Sequence, residues 1–265
     1  MILRYWSQKN LTQRCKAQSR GTGLEMQPRL TASCSCRLPL TLRLFRLSVT
    51  LHTRIKMTAS SSQVKEFREA LESEAGVYQT RIIGDAIERL SEYYVLLTKW
   101  NPRLHLVAPC SPREFATRHA LESLMLLPHL PQAAKVADIG SGAGLPIIPC
   151  LIARPDITAT LIEASKKKAV FLREALNAIE TKSATVIAER FEETATPDVC
   201  FITCRALEQF ETKLPKLIEW SPHAITLLLF GGEELRKRIA EQGLGYSVVH
   251  LPNSTRRYLF IINRP

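Results

Sequence analysis

Between Val64 and Trp100, apolar residues recur at three- and four-residue steps, and Ile83, Ile87, Leu90, Tyr94 and Leu97 share one face. That period predicts helix, broken near Gly76 into a short piece and a longer one, with Pro102 just past the second. Pro112 and the run EFATRHALESLMLLPHL predict a further helix ending near Pro128. The period then changes. Short apolar runs at 135–139, 159–163, 185–188, 198–203 and 224–230 predict strands, separated by helical patterns near 145–153, 166–178, 207–219 and 232–242. YSVVHL and RRYLFIIN close the chain as two more strands with a turn at 252–254. Strands alternating with helices predict a mostly parallel sheet covered on both faces. The last strand has only a hairpin-length return, so it is expected to run antiparallel. The fold class is therefore α/β: a Rossmann-like three-layer sandwich with a seven-stranded sheet over 135–265. A helical extension over 58–134 precedes it, and the two are expected to form one globular unit.

Charge changes the picture mainly at the N-terminus. Of the net +11, residues 1–57 carry +10, from eleven Lys or Arg against Glu25 alone, which leaves +1 for 58–265. A nearly neutral body gives no global argument for nucleic acid. No apolar run reaches the roughly 18 residues that a membrane helix needs. Arg43 and Arg46 interrupt LPLTLRLFRLSVTLHTRI, which argues against a secretory segment as well. Three readings of the leader remain: a start placed too early, with the real one at Met57; an Arg-rich, acid-poor organelle-targeting peptide; or a disordered basic arm that touches RNA. Met57, followed by a Ser/Thr-rich stretch and then the first helical pattern, supports the first. The seven cysteines form no C-x-x-C pair, and no histidine falls at ligand spacing beside them. The expectation is no disulfide framework, no metal site and a reducing compartment.

The candidate chemistry centres on KVADIGSGAGLPIIP, residues 135–149, and on Glu163 at the end of TLIEA. A hydrophobic strand runs into Gly140, Gly142 and Gly144, a helix starts at once, and the next strand delivers a carboxylate. This is the arrangement of a nucleotide-type cofactor site at the carboxyl edge of a parallel sheet. Glycines let backbone approach a ligand, and Glu163 can accept hydrogen bonds from both ribose hydroxyls. A pyrophosphate would want the N–H groups of a free helix start, and Pro146 and Pro149 remove two. S-adenosyl-L-methionine has no phosphate and carries a sulfonium and an ammonium, so an acidic strand end fits it better. A dinucleotide, or a turn that binds nothing, stays open. Asp138 is placed to orient the glycine loop or to meet the ligand ammonium through water; Phe191 and Glu192, in AERFEE, are candidates for the adenine end.

Arg205, in TCRA, ends the fourth strand, where substrate meets cofactor in this architecture. It can hold a phosphate or a guanine edge; the plain alternative is a salt bridge to Glu163 or Glu192. Lys166, Lys167 and Lys168, with Arg173, form the concentrated basic run of the body. Cations at a helix start oppose the dipole, so phosphate backbone is one reason for them and a solvated face the other. Arg118 and His119, in RHALES, and Arg256 and Arg257 near the C-terminus would ring the same edge, although His119 equally suits a core position. No Ser-His-Asp order, suitable carboxylate pair or metal cluster competes. The tetrad of amino-group methyltransferases is absent, while Cys204 beside Arg205 keeps attack at a carbon open. Guanine N7 has a free lone pair and needs no base, so in-line positioning would supply most of the rate.

WNPRLHLVAP, RHALES, VADIGSGAGLPIIP, TLIEASKKKAVFLRE, AERFEE and TCRA, in this order, resemble the bacterial small-subunit ribosomal RNA guanine-N7 methyltransferases, the RsmG/GidB family. The resemblance runs from about residue 64 to the C-terminus. It implies a class I S-adenosyl-L-methionine-dependent methyltransferase acting on N7 of a guanosine in the 530 loop of 16S ribosomal RNA. It also implies a cytoplasmic location, the small ribosomal subunit as partner, and no membrane or metal; a monomer is the default for so neutral a body. Gly140 and Leu145 would belong to the cofactor loop, Phe191 and Glu192 to the adenine side, and Arg205 to the cofactor or substrate edge. The chain departs from the family's usual residues at His105–Leu106–Val107, at Glu122, at Ile147 and at Phe230, where a lysine is usual. Two other readings remain: a methyltransferase for another RNA position or a small molecule, and a non-catalytic RNA-binding or ribosome-assembly module.

Overall fold

The computed structural model describes residues 59–205 and 210–264, without the side chains of Phe210 and Glu211. The 1–57 leader and the first residues expected in the fourth helix lie outside them. The extension begins with α1 (Ser61–Glu74), whose N-cap Ser60 accepts from the Gln63 N–H while the Gln63 side chain accepts from the Ser60 N–H. α2 (Ala86–Leu104) comes next. Pro102 lies inside its last turn rather than just past it, so one N–H is missing from the ladder of that final turn. His105 then stops α2 in the left-handed region at φ 48° and donates to the Asn101 carbonyl.

The third stretch is not the uniform helix that its period suggests. It runs as α3 (Pro112–Glu114), a π-helix (Phe115–Leu121) and α4 (Glu122–Leu124). A π-turn inserts a residue and rotates the downstream helical face, a device common at functional sites.

The strands are β1 (Lys135–Ile139), β2 (Thr158–Ile162), β3 (Ala184–Ile187), β4 (Phe201–Arg205), β5 (Thr226–Gly231), β6 (Ser247–His250) and β7 (Tyr258–Asn263). They form a seven-stranded sheet in the order β3-β2-β1-β4-β5-β7-β6, parallel except at β7. The intervening helices are α5 (Ile147–Ala153), α6 (Lys166–Ala178), α7 (Phe210–Trp220) and α8 (Glu233–Glu241). The near-continuous burial of β1, β4 and β5 reflects cover on both faces. One core joins the extension (Phe67, Leu90, Tyr93, Phe115) to one sheet face, and a second lies on the other, around Ile202, Leu217 and Phe260. Strand order reverses between β1 and β4, which opens a crevice at their carboxyl ends. No helix among the described residues is long and apolar enough to cross a membrane. Among the described residues, Cys110, Cys150 and Cys204 are free thiols.

Candidate cofactor and substrate cleft

The crevice holds a cavity of about 570 Å³, within the usual range for a small-molecule site. The loop after β1 forms its floor. Gly140, Gly142 and Gly144 all adopt positive φ (66°, 51° and 81°), a region that side chains disfavour. Gly144 has a second reason: a Cβ there would stand 2.3 Å from Ile148 Cδ1. Gly142 has only the Gly140 carbonyl near it, at 3.6 Å, so its missing side chain leaves room on the ligand side. The loop is held from two directions. The N–H groups of Gly140 and Ser141 donate to the Ile162 carbonyl at 2.9 and 3.2 Å, and the buried Tyr93 hydroxyl, from α2, donates to the Ala143 carbonyl at 2.6 Å. Leu145 is buried and lines the cavity; Ile147, where the family usually has glycine, is wholly buried as the first residue of α5.

Glu163 comes directly after β2 and is 8% exposed. Its Oε2 accepts from the Gly142 N–H and its Oε1 from the Ser165 N–H, each at 2.8 Å. Both bonds fix the carboxylate against the cavity, and each oxygen keeps a lone pair for a ribose hydroxyl. Asp138 is wholly buried, and neither carboxylate oxygen has a hydrogen-bond partner. Ser141 donates to its backbone carbonyl instead, at 2.9 Å. Burial pushes the Asp138 carboxyl well above the usual range, the Ser141 hydroxyl opposes this, and Glu163 adds to it. A buried carboxyl group without a partner is what a cationic ligand would stabilise. Asp138 is not among the residues that line the cavity; Gly140, Gly142 and Glu163 are, and they fit S-adenosyl-L-methionine.

At the far end, residues 189–192 line the cavity. Phe191 is 4% exposed and packs edge-on against Trp220, so it serves the core as well as the cleft, while Glu192 is exposed. Sequence reasoning missed the wall opposite, 105–108, which Asn101 holds by donating to the Val107 carbonyl at 3.0 Å and accepting its N–H at 2.9 Å. It missed Ser165, Glu189, Arg190 and Lys213 too. Of the basic run, Lys168 reaches the cavity lining; Lys166 and Lys167 are exposed, and exposed Arg173 donates to the Val186 carbonyl at 3.2 Å.

Arg205 ends β4 and lines the cavity. Its ion pair is with Glu122, at 3.0 Å, and not with Glu163 or Glu192. The same guanidinium donates to the Arg118 carbonyl in the π-helix and lies 5.5 Å from the centre of the Phe230 ring. Where the family usually has a lysine, this chain thus has an aromatic face beneath an arginine. Arg205 Nη1 is buried without a partner. Glu122 is 0% exposed and also pairs with Arg257 Nη1 at 2.8 Å. Burial raises its carboxyl pKa, and Arg205 and Arg257 oppose that rise. Arg257 is therefore engaged inside the fold, and its Nε donates to the Ser254 hydroxyl. Arg118 is exposed and pairs with Glu114.

His119 lines the cavity between these groups, with Nδ1 buried and unpartnered. Burial, reinforced by Arg205, Arg118 and Arg257, lowers its pKa to about 3, so the ring is neutral at physiological pH. The cleft thus has an acidic, glycine-lined half and a half built from a neutral imidazole and a tethered guanidinium.

A Xanthomonas axonopodis protein, "Ribosomal RNA small subunit methyltransferase G", is 44% identical over 120 residues, 45% of this chain and 56% of that protein. Proteins of the same description from Nitrosomonas eutropha (36% over 128 residues, 48% and 58% of the two chains) and Xanthomonas campestris (36% over 180 residues, 65% and 82%) also align. The chain spans somewhat over half the length of the first two. Residues 86–248 match the family model described as "GidB: rRNA small subunit methyltransferase G", and the chain belongs to that family.

Proposed function

We propose that this protein transfers a methyl group from S-adenosyl-L-methionine to N7 of a guanosine in the 530 loop of 16S ribosomal RNA. The carrying observation is the cleft at the β1/β4 crevice, which joins the Gly140–Glu163 half to the Arg205–His119 half. Family membership and the printed descriptions of the relatives support ribosomal RNA as substrate. When bound, the cofactor supplies an electrophilic methyl group. Glu163 would hold the ribose, Asp138 the ammonium side, and the 189–192 segment, with Phe191 and Glu192, the adenine. Arg205 would donate to the base edge, with His119 and Arg118 beside it. His119 stays neutral and adds no charge next to the sulfonium. Lys166, Lys167, Lys168 and Arg173 are assigned to the RNA backbone, where each phosphate contact strengthens binding and makes it salt-dependent; Arg257, expected there too, is instead held by Glu122. The enzyme is proposed to act as a cytoplasmic monomer on the small ribosomal subunit.

The test uses the full chain, tritium-labelled S-adenosyl-L-methionine, and small subunits or naked 16S RNA lacking N7 methylation. Label mapping to a 530-loop guanosine is expected. Intact cofactor binding without incorporation into either RNA would overturn the assignment.

A further inference from the structure

Glu122 is wholly buried in the extension, between Leu121 and Ser123, and two arginines from distant parts of the chain converge on it. Arg205 comes from the end of β4 and Arg257 from the turn before β7. A buried carboxylate is retained only with such partners, and a fold that wanted packing alone would use an apolar side chain. The cluster holds one anion and two cations, a net +1. Of the three, Arg205 is the one that lines the cavity, and its Nη1 is unpartnered.

We infer that Glu122 is a positioning residue: it fixes the Arg205 guanidinium at the cleft and offsets its charge, so that Arg205 can donate to the substrate base without opposing the charge that the base acquires. The inference rests on the methyl-transfer reading above. In that reaction the N7 lone pair forms the N–C bond, and the carbon–sulfur bond breaks with its electron pair left on sulfur. No proton moves, and the positive charge passes from sulfur to the purine. A guanidinium beside that purine helps to orient it but disfavours the charge that develops. A carboxylate fixed behind the guanidinium preserves the first effect and reduces the second. Glu122 therefore acts on the rate more than on RNA affinity.

The test measures, on the full chain, the single-turnover methylation rate at saturating 16S RNA, together with RNA Kd, cofactor Kd and melting temperature. Glu122→Gln keeps the shape and raises the cluster to +2. Its rate is expected to fall by about 30-fold or more, with RNA Kd unchanged or tighter. Glu122→Asp, which keeps the charge, should recover most of the rate. Glu122→Gln with Arg257→Gln returns the cluster to +1 and should regain roughly tenfold, a coupling that simple loss of packing does not produce. An unchanged rate in Glu122→Gln, rate and RNA affinity falling together, or no recovery in the double variant each overturns the inference. If Glu122→Gln does not fold, Arg257→Gln alone decides: the cluster becomes neutral, RNA binds more weakly, and the rate at saturation should rise by about threefold; a fall sinks the idea. A wild-type chain that methylates no RNA would overturn the functional reading instead, a result distinct from all of these.

Discussion

The two halves of the cleft are built in different ways. The cofactor half is local: Asp138, the glycine loop and Glu163 lie within 26 residues of one another and are tied by backbone bonds between adjacent parallel strands. The substrate half is assembled from afar. Glu122, Arg205 and Arg257 come from the short helix after the π-helix, a strand end and a hairpin turn, and meet only when the extension packs against the sheet. A local site can be read from spacing and depends little on the rest of the fold. A distributed one depends on every element that brings its parts together.

The largest expected effect tests the independence of the two halves. Glu163→Ala removes the ribose acceptor and leaves the N–H groups of Gly142 and Ser165 unpaired. Cofactor Kd by calorimetry should rise about 100-fold, roughly 2.7 kcal/mol, with RNA Kd little changed. Arg205→Lys tests the other half. A lysine keeps the charge but loses the planar fork that serves Glu122, the Arg118 carbonyl and the cleft at once. kcat/KM for RNA should drop about 30-fold, roughly 2 kcal/mol, while cofactor Kd stays within about threefold; a parallel loss of cofactor binding would show that the halves are not separable.

Asp138→Asn should divide stability from binding. The folded pKa of Asp138 is raised, so its contribution to stability is present below the unfolded value near 3.9 and lost as pH rises through the folded value. Asparagine removes that loss. The ligand-free variant should melt a few degrees higher at neutral pH and bind cofactor about tenfold more weakly, having lost a charge partner for the ammonium. The smallest effect concerns His119. Its folded pKa, about 3, lies below the unfolded value near 6.5, so the folded state excludes a proton that the unfolded chain takes up. Stability should decline as pH falls from about 6.5 towards 3, and His119→Gln should flatten that limb of the melting-temperature profile. A histidine-like limb near pH 6.5 in wild-type kcat/KM, absent from His119→Gln, would contradict a neutral ring.

The same contrast explains why some features were legible in the sequence and others were not. The sheet was readable from its apolar runs and their helical spacers, down to the antiparallel last strand, because burial on two faces leaves a continuous apolar signature. Glu163 and Arg205 were legible because strand ends are where such sheets present polar groups. Glu122 was visible only as a departure in a family pattern, since nothing in the helical period around it signals partners 83 and 135 positions away. The π-helix was hidden as well: its residues have ordinary helical composition, and the extra residue per turn arises from packing. Pro102 misled by one turn because proline marks a helix end only approximately.

The hydrogen bond from the Tyr93 hydroxyl to the Ala143 carbonyl ties the extension to the sheet in a way that outlasts any exchange of surface residues. The glycine loop is a common part, but here one of its carbonyls is kept by a helix outside the sheet domain. A chimera that joins this sheet to another protein's helices would need to import a tyrosine at the matching height, or accept a looser grip on its ligand. The helical extension and the cofactor loop are, in that sense, a single inheritable unit.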